Sequence, residues 1–145
     1  MAGGVDLPDV NVWMALSFAG HPHHRRARAY WYQESAERIA FCRLTALAFV
    51  RLSMQASAMG GQPLSPAAAW RAYRSYRALP EVLLAAEPET CEDVLERWIS
   101  RERFPAALLT DAYLAAFAME ARCRLVTFDA GFQRFEGLEA LRLVP

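Results

Sequence analysis

Short apolar segments alternate along this chain with longer stretches of helical spacing, and that alternation restricts the fold more than any other feature. Val5–Val10, Ile39–Cys42 within Arg38–Arg43, Val82–Leu84 within Glu81–Ala86, Leu125–Phe128 and Leu141–Val144 each read as a buried strand. Asn11–Phe18 has helical spacing in Val12 and Leu16 and stops at Gly20 and Pro22, and Pro22 to about Glu37 carries a stripe of Ala27, Tyr30 and Trp31. Thr45 is positioned to cap a helix from Ala46 to about Ala56, with Gly60-Gly61 beyond it. Ser65-Pro66 is a start signal, a capping side chain followed by proline, for a helix bearing Trp70, Tyr73 and Arg77 on one side. Thr90 and Asp93 resemble a capping box before Val94, Leu95, Trp98 and Ile99. Thr110 is placed to cap a last helix to about Ala121, burying Ala112, Ala115, Ala116 and Met119. Strands alternating with helices imply βαβ units, an α/β fold with a mostly parallel sheet.

The 145 residues suit a single domain, residues 1–145, and a 54% hydrophobic content fills a core without staples. Sixteen basic and sixteen acidic residues cancel, so any nucleic-acid contact must come from a local patch. Cys42, Cys91 and Cys123 are odd in number and form no C-x-x-C pair, which suits a reducing cytoplasm and indicates neither a disulfide framework nor a structural zinc site. No apolar run has the length of a membrane span, and no basic-then-apolar leader opens the chain.

Three carboxylates stand beside these apolar segments: Asp9 at the end of the first strand, Asp111 in the first turn after Thr110, and Asp129 at the end of the fourth strand. Ligands of parallel α/β sheets bind outside the carboxyl ends of the strands, and a helix start favours an ionised Asp. All three can therefore point into one crevice, where like charges repel unless a hard cation such as Mg²⁺ joins them. The alternative is that each is a cap or turn residue, Asp129 before Ala130-Gly131 being the most turn-like.

Asp9-Val10-Asn11-Val12, His21-Pro22-His23-His24, Arg43-Leu44-Thr45, Phe49-Val50-Arg51-Leu52, Thr110-Asp111-Ala112-Tyr113-Leu114 and Val126-Thr127-Phe128-Asp129, taken in order, resemble the PIN-domain family and, within it, VapC-type ribonuclease toxins of prokaryotic toxin–antitoxin systems. The resemblance implies a three-layer α/β/α sandwich, with Asp9, Asp111 and Asp129 matching the acidic metal ligands. It also implies cleavage of structured RNA, such as tRNA or rRNA, with Mg²⁺ or Mn²⁺. A homodimer and a cognate antitoxin laid across the acidic cleft are implied as partners. Asn11 and Thr127 match polar positions flanking the cluster, where Thr127 would orient a carboxylate or a water, and Thr45 matches a supporting position.

The family normally supplies a further acid, in some relatives Gln, on the helix after the second strand, and here that position reads as Ala46. Two outcomes remain open. Three aspartates still hold one cation, since Mg²⁺ needs few carboxylates, or the chain is a PIN module that binds RNA or antitoxin without cutting.

His21-Pro22-His23-His24-Arg25-Arg26 places cations at a helix start, against the dipole. His23 and Arg25 would suit an RNA phosphate there, the other readings being a solvated helix start or, lacking further spaced ligands, zinc. Arg51, among Phe49, Val50 and Leu52, is either a structural ion pair or a substrate contact, and Arg103 with Arg101 either lines an RNA path or sits in a loop of mixed charge. Trp70, Tyr73, Tyr76 and Trp98 have the spacing of core residues rather than of base-stacking platforms.

Overall fold

A computed structural model of the chain describes residues 4–101 and 103–145. The apolar segments form β1 (Val5–Pro8), β2 (Arg38–Phe41), β3 (Val82–Leu84), β4 (Arg124–Thr127) and β5 (Ala140–Arg142), paired in the order β3-β2-β1-β4-β5. Every neighbouring pair is parallel, with Leu7 opposite Leu125 and Ile39 opposite Val82. The sheet is thus wholly parallel, and its strands are apolar on both faces because helices cover both.

Alternation along the strands divides the core. Leu7, Ala40, Cys42 and Leu125 pack with α5 (Cys91–Ile99) and α6 (Leu109–Ala121). Ile39 and Phe41 point the other way, onto α1 (Val10–Ser17), α3 (Arg43–Ser53) and α4 (Pro66–Arg77), while Val126 meets Tyr30 of α2 (His24–Gln33). Trp13 stacks on Phe41 with centroids 3.8 Å apart, and Tyr73 meets the same ring edge-on at 5.1 Å. The result is the α/β/α sandwich expected from the sequence. Cys42, Cys91 and Cys123 are buried and unpaired. Among the described residues no helix is long and apolar enough to cross a membrane.

Helix starts depart from the sequence reading where a threonine was taken as a cap. Ser65 does cap α4, its hydroxyl accepting from the Ala68 N–H at 3.1 Å. Thr45 instead lies three residues inside α3, where its hydroxyl accepts from the Cys42 N–H at 3.0 Å and donates to the Cys42 carbonyl at 3.1 Å. A threonine in the third position can satisfy an end group by reaching back, so hydroxyl position alone does not fix the first turn. Thr90 precedes α5 without a side-chain bond, and α6 starts at Leu109, after a 3₁₀ turn over Ala106–Leu108, with Thr110 already inside it. The second helix, His24–Gln33, is also shorter than the expected span of Pro22 to about Glu37, and Met119 of α6 is half-buried rather than core.

The strand order places β1 beside β4 at the centre, while the chain leaves β1 towards β2 and leaves β4 towards β5 on the other side. The crevice at the carboxyl ends of β1 and β4 is therefore the switch point of the sheet, where an open α/β fold has room for a ligand.

Candidate functional site

Asp9 follows β1 directly and is the N-cap of α1. Its Oδ1 accepts from the Val10 N–H at 2.7 Å, which is why the first strand ends at Pro8 rather than Val10. Its Oδ2 accepts from the Thr127 hydroxyl at 3.2 Å and from Asn11 Nδ2 at 3.3 Å. Thr127, buried at the end of β4, accepts in turn from the Asp129 N–H at 3.0 Å, and Asn11 Oδ1 accepts from the Phe128 N–H at 3.4 Å. Asn11 and Thr127 therefore tie the two central strand ends around one carboxylate.

Asp111 lies in the first turn of α6 and is half-buried; Asp129 is exposed at the rim, its Oδ1 accepting from the Gly131 N–H at 2.7 Å as the cap of a 3₁₀ turn over Ala130–Arg134. Neighbouring negative charge acts on both Asp9 and Asp111. Burial, with Asp111 and Asp129 adding to it, raises the Asp9 carboxyl to about 6, against the hydrogen bonds from Val10 and Thr127 that favour its charged form. Burial and the Asp129 charge also raise Asp111, which Arg134 partly offsets. Yet among the described residues no three His, Cys, Asp or Glu side chains stand close enough together to grip one ion. All three were expected to point into one crevice; Asp9 and Asp111 border it, while Asp129, with Oδ1 bonded within its own turn, is not part of its lining. The donor set, all oxygen with one acid disfavouring its charge, fits a hard divalent cation better than any soft metal.

A cleft of about 290 Å³ borders Asp9 and Asp111, with Thr45, Ala48, Arg51 and Leu52 of α3 on its other wall. Ala46 is not part of that wall. It is 1% exposed and packs with Trp13, Phe41 and Phe49 in the core, so a carboxylate there would enter an apolar interior. The α3 position that looks into the cleft from the acid's side is Ala48. Arg51 is exposed and cleft-facing, and the ion pairs among the described residues, Arg26–Glu34 and Arg124–Asp6, do not include it.

The three histidines do not converge: His21 Nδ1 accepts from the His23 N–H at 3.0 Å, and His24 Nδ1 lies 2.7 Å from the Ala15 carbonyl. The His23 ring stacks on Phe128 at 4.8 Å, beside the acidic rim, with Arg25 exposed two residues on. Arg103 is exposed on a separate loop and belongs to a second cavity, described below. Arg134 was missed from the sequence; a lone arginine in a 3₁₀ turn carries no spacing signal, and only the fold brings it beside Asp111.

The sequence profile of the PIN domain family matches residues 7–138. Over 143 residues the chain is 37% identical to ribonuclease VapC41 of Mycobacterium tuberculosis, covering 95% of this chain and 97% of that protein. The crystal structure of VapC20 from the same organism, a toxin that cleaves the sarcin–ricin loop, superposes with a TM-score of 0.67 at 18% identity, over 94% of this chain and 99% of that one. A chain of the VapBC2 complex of Rickettsia felis, bound to promoter DNA, also reaches 0.67, at 12% identity over 97% and 99%.

Proposed function

Because the chain belongs to the PIN domain family, we propose that it is a VapC-type endoribonuclease toxin, dependent on a divalent cation and neutralised by a cognate antitoxin. What supports this reading is that Asp9 and Asp111, from separate elements, border one cleft at the switch point of a parallel sheet, with Asp129 close enough for its charge to act on both. Residues 1–145 act as one PIN domain on structured RNA such as tRNA or rRNA, in the cytoplasm, as a homodimer. Exposed Leu47, Met54 and Trp70 on α3 and α4 support a self-association surface.

Asp9 and Asp111 on the cleft, with water and an Asp129 drawn in from the rim completing the shell, would hold Mg²⁺ or Mn²⁺, which when bound would neutralise charge on the phosphate oxygens and acidify an attacking water. The residues of the chain provide the rest. Thr127 and Asn11 hold the Asp9 carboxylate in one orientation through the bonds described above. Arg51 and Arg134 flank the cleft and attract the phosphodiester, and His23 and Arg25 extend that basic margin along α2. The repulsion among Asp9, Asp111 and Asp129 is what a bound cation would relieve.

The test is cleavage of a tRNA and rRNA mixture by the purified protein with Mn²⁺, with Mg²⁺ and in chelator. Cutting only with metal, abolished in Asp111→Asn, is the expected result; equal cutting in chelator overturns the reading. A second reading, a module that binds RNA or antitoxin without cleavage, draws on one observation: α3 offers Ala48 and Arg51, not a carboxylate, to the cleft. Metal-independent inertness towards RNA, with RNA still bound, would favour it.

A further inference from the structure

Beside the acidic cleft lies a second cavity of about 450 Å³, within the ~300–1,000 Å³ usual for small-ligand sites. Its walls are aromatic and its rim is basic on balance, three arginines against Glu136. Trp98, Phe104 and Phe135 supply the walls; Arg101, Arg103 and Arg134 stand around them. Trp98 and Phe135 lie 5.0 Å apart between centroids, tilted by 35°, and Trp98 remains half-buried, so part of its surface is left facing the cavity. Arg103 reaches the rim from a left-handed backbone, φ 66°, a conformation uncommon for a residue other than glycine.

Arg134 joins the two cavities. It borders this one, and its Nη2 lies with Asp129 Oδ1 about the same point beside Gly131, at the acidic rim. Gly131 explains the approach: a Cβ there would come within 3.1 Å of Asp129 Oδ1 and 3.4 Å of Arg134 Nη2, so the acid and the guanidinium share the space of one missing side chain. A strand of RNA crossing the acids would thus have Arg134, a guanidinium on the rim of the aromatic cavity, at hand for a phosphate. Stacked faces with guanidinium neighbours suit a nucleobase and its phosphate. An acidic peptide would satisfy the arginines but leave the aromatic walls uncovered.

We propose that the cavity between the end of α5 and the 3₁₀ turn after β4 is a nucleotide subsite, in which Trp98 and Phe104 stack one unpaired base of the RNA while Arg103 and Arg134 hold its phosphate. The proposal rests on the ribonuclease reading for the RNA's identity as substrate, but its test is of binding, in chelator, without cleavage. Fluorescein-labelled single-stranded RNA pentamers are bound to the full chain and followed by anisotropy, each base in turn being replaced by an abasic ribose. One position is expected to lose about tenfold in affinity, since a stacked base contributes roughly that much. In Trp98→Leu that loss should shrink to about twofold. A flat abasic series, a loss unchanged in Trp98→Leu, or no binding of the pentamers overturns the proposal.

Should Trp98→Leu fail to fold, the exposed pair Arg101→Gln/Arg103→Gln decides: at least fivefold weaker binding with a shallower salt dependence is expected, and unchanged binding is the contrary result. Metal-dependent cleavage of structured RNA is measured in parallel on the wild type. Cleavage with a flat abasic series removes the subsite and leaves the ribonuclease; a position-specific loss without cleavage does the reverse.

Discussion

Asp6 and Asp9 stand three residues apart in one apolar segment and have opposite fates. Asp6 is fully buried and saturated: Arg124 donates twice, at 2.8 and 2.9 Å, Tyr30 donates at 2.7 Å and the Ala36 N–H at 2.9 Å. Asp9 is left with two neighbouring negative charges and a carboxyl raised from 3.8 to about 6. The sign of the linkage follows. Below about pH 4 the group is protonated in folded and unfolded chains alike, whereas above pH 6 the fold must carry a charge it disfavours, so stability present in acid is lost on the way up, by about 2–3 kcal/mol. Asp9→Asn is expected to stabilise the protein by roughly that amount at pH 8, to change little at pH 4, and to abolish RNA cleavage; urea midpoints at the two pH values, with a cleavage assay, check it. Thr127→Val removes the hydroxyl between Asp9 and the Asp129 N–H, and should cost about 1–2 kcal/mol and lower cleavage about 10–100-fold while RNA binding in chelator persists. Sequence alone singled out Asp9, because it closes an apolar run, but said nothing of Asp6, whose partners Tyr30 and Arg124 arrive from distant elements. Arg134 stayed hidden for the same reason.

At the scale of elements, α3 shows how a one-turn error of phase moves a functional position. The resemblance put the missing acid at Ala46, and Thr45 was read separately as the cap of the helix. The helix in fact begins at Arg43, and its faces are set: Ala46 and Phe49 go to the core, Thr45, Ala48 and Leu52 to the cleft. Glutamates at the two positions should therefore behave differently. Ala46→Glu buries a charge among Trp13, Phe41 and Phe49 and is expected to destabilise by about 3 kcal/mol, visible as a lower urea midpoint. Ala48→Glu should leave stability within about 1 kcal/mol and raise Mn²⁺ affinity, read by calorimetry on the intact chain. If Ala46→Glu were neutral and Ala48→Glu disruptive, the assignment of the two faces would be wrong. The Ser65-Pro66 start was legible because proline fixes the first position of a helix; a threonine, able to bond from the cap or from three residues in, fixes nothing by itself.

Across the whole molecule the parallel sheet separates what holds the fold from what the site does. Parallel strands point every carboxyl end one way, so the acids that close β1 and β4 gather at one edge, and this much the alternation of apolar runs already implied. At the other edge Asp6, near the start of β1, grips Arg124, the first residue of β4, and through Tyr30 fastens α2 to the sheet. No pattern in the sequence announced that anchor, since its register became visible only when Asp6 and Arg124 were found opposite each other. Removing its charge leaves Arg124 facing a neutral amide that supplies a single acceptor oxygen where the carboxylate supplied two, in a site closed to water. Asp6→Asn is expected to cost about 3–5 kcal/mol, lowering the melting temperature by on the order of 10 °C. Because the lesion lies at the far edge of the sheet, cleavage per folded molecule at low temperature should be unchanged. Calorimetric melting and a cleavage assay at 10 °C separate the two effects. Loss of cleavage in folded Asp6→Asn would mean that the two edges of the sheet are coupled, and that the position of Asp9 depends on how β1 is held at its start.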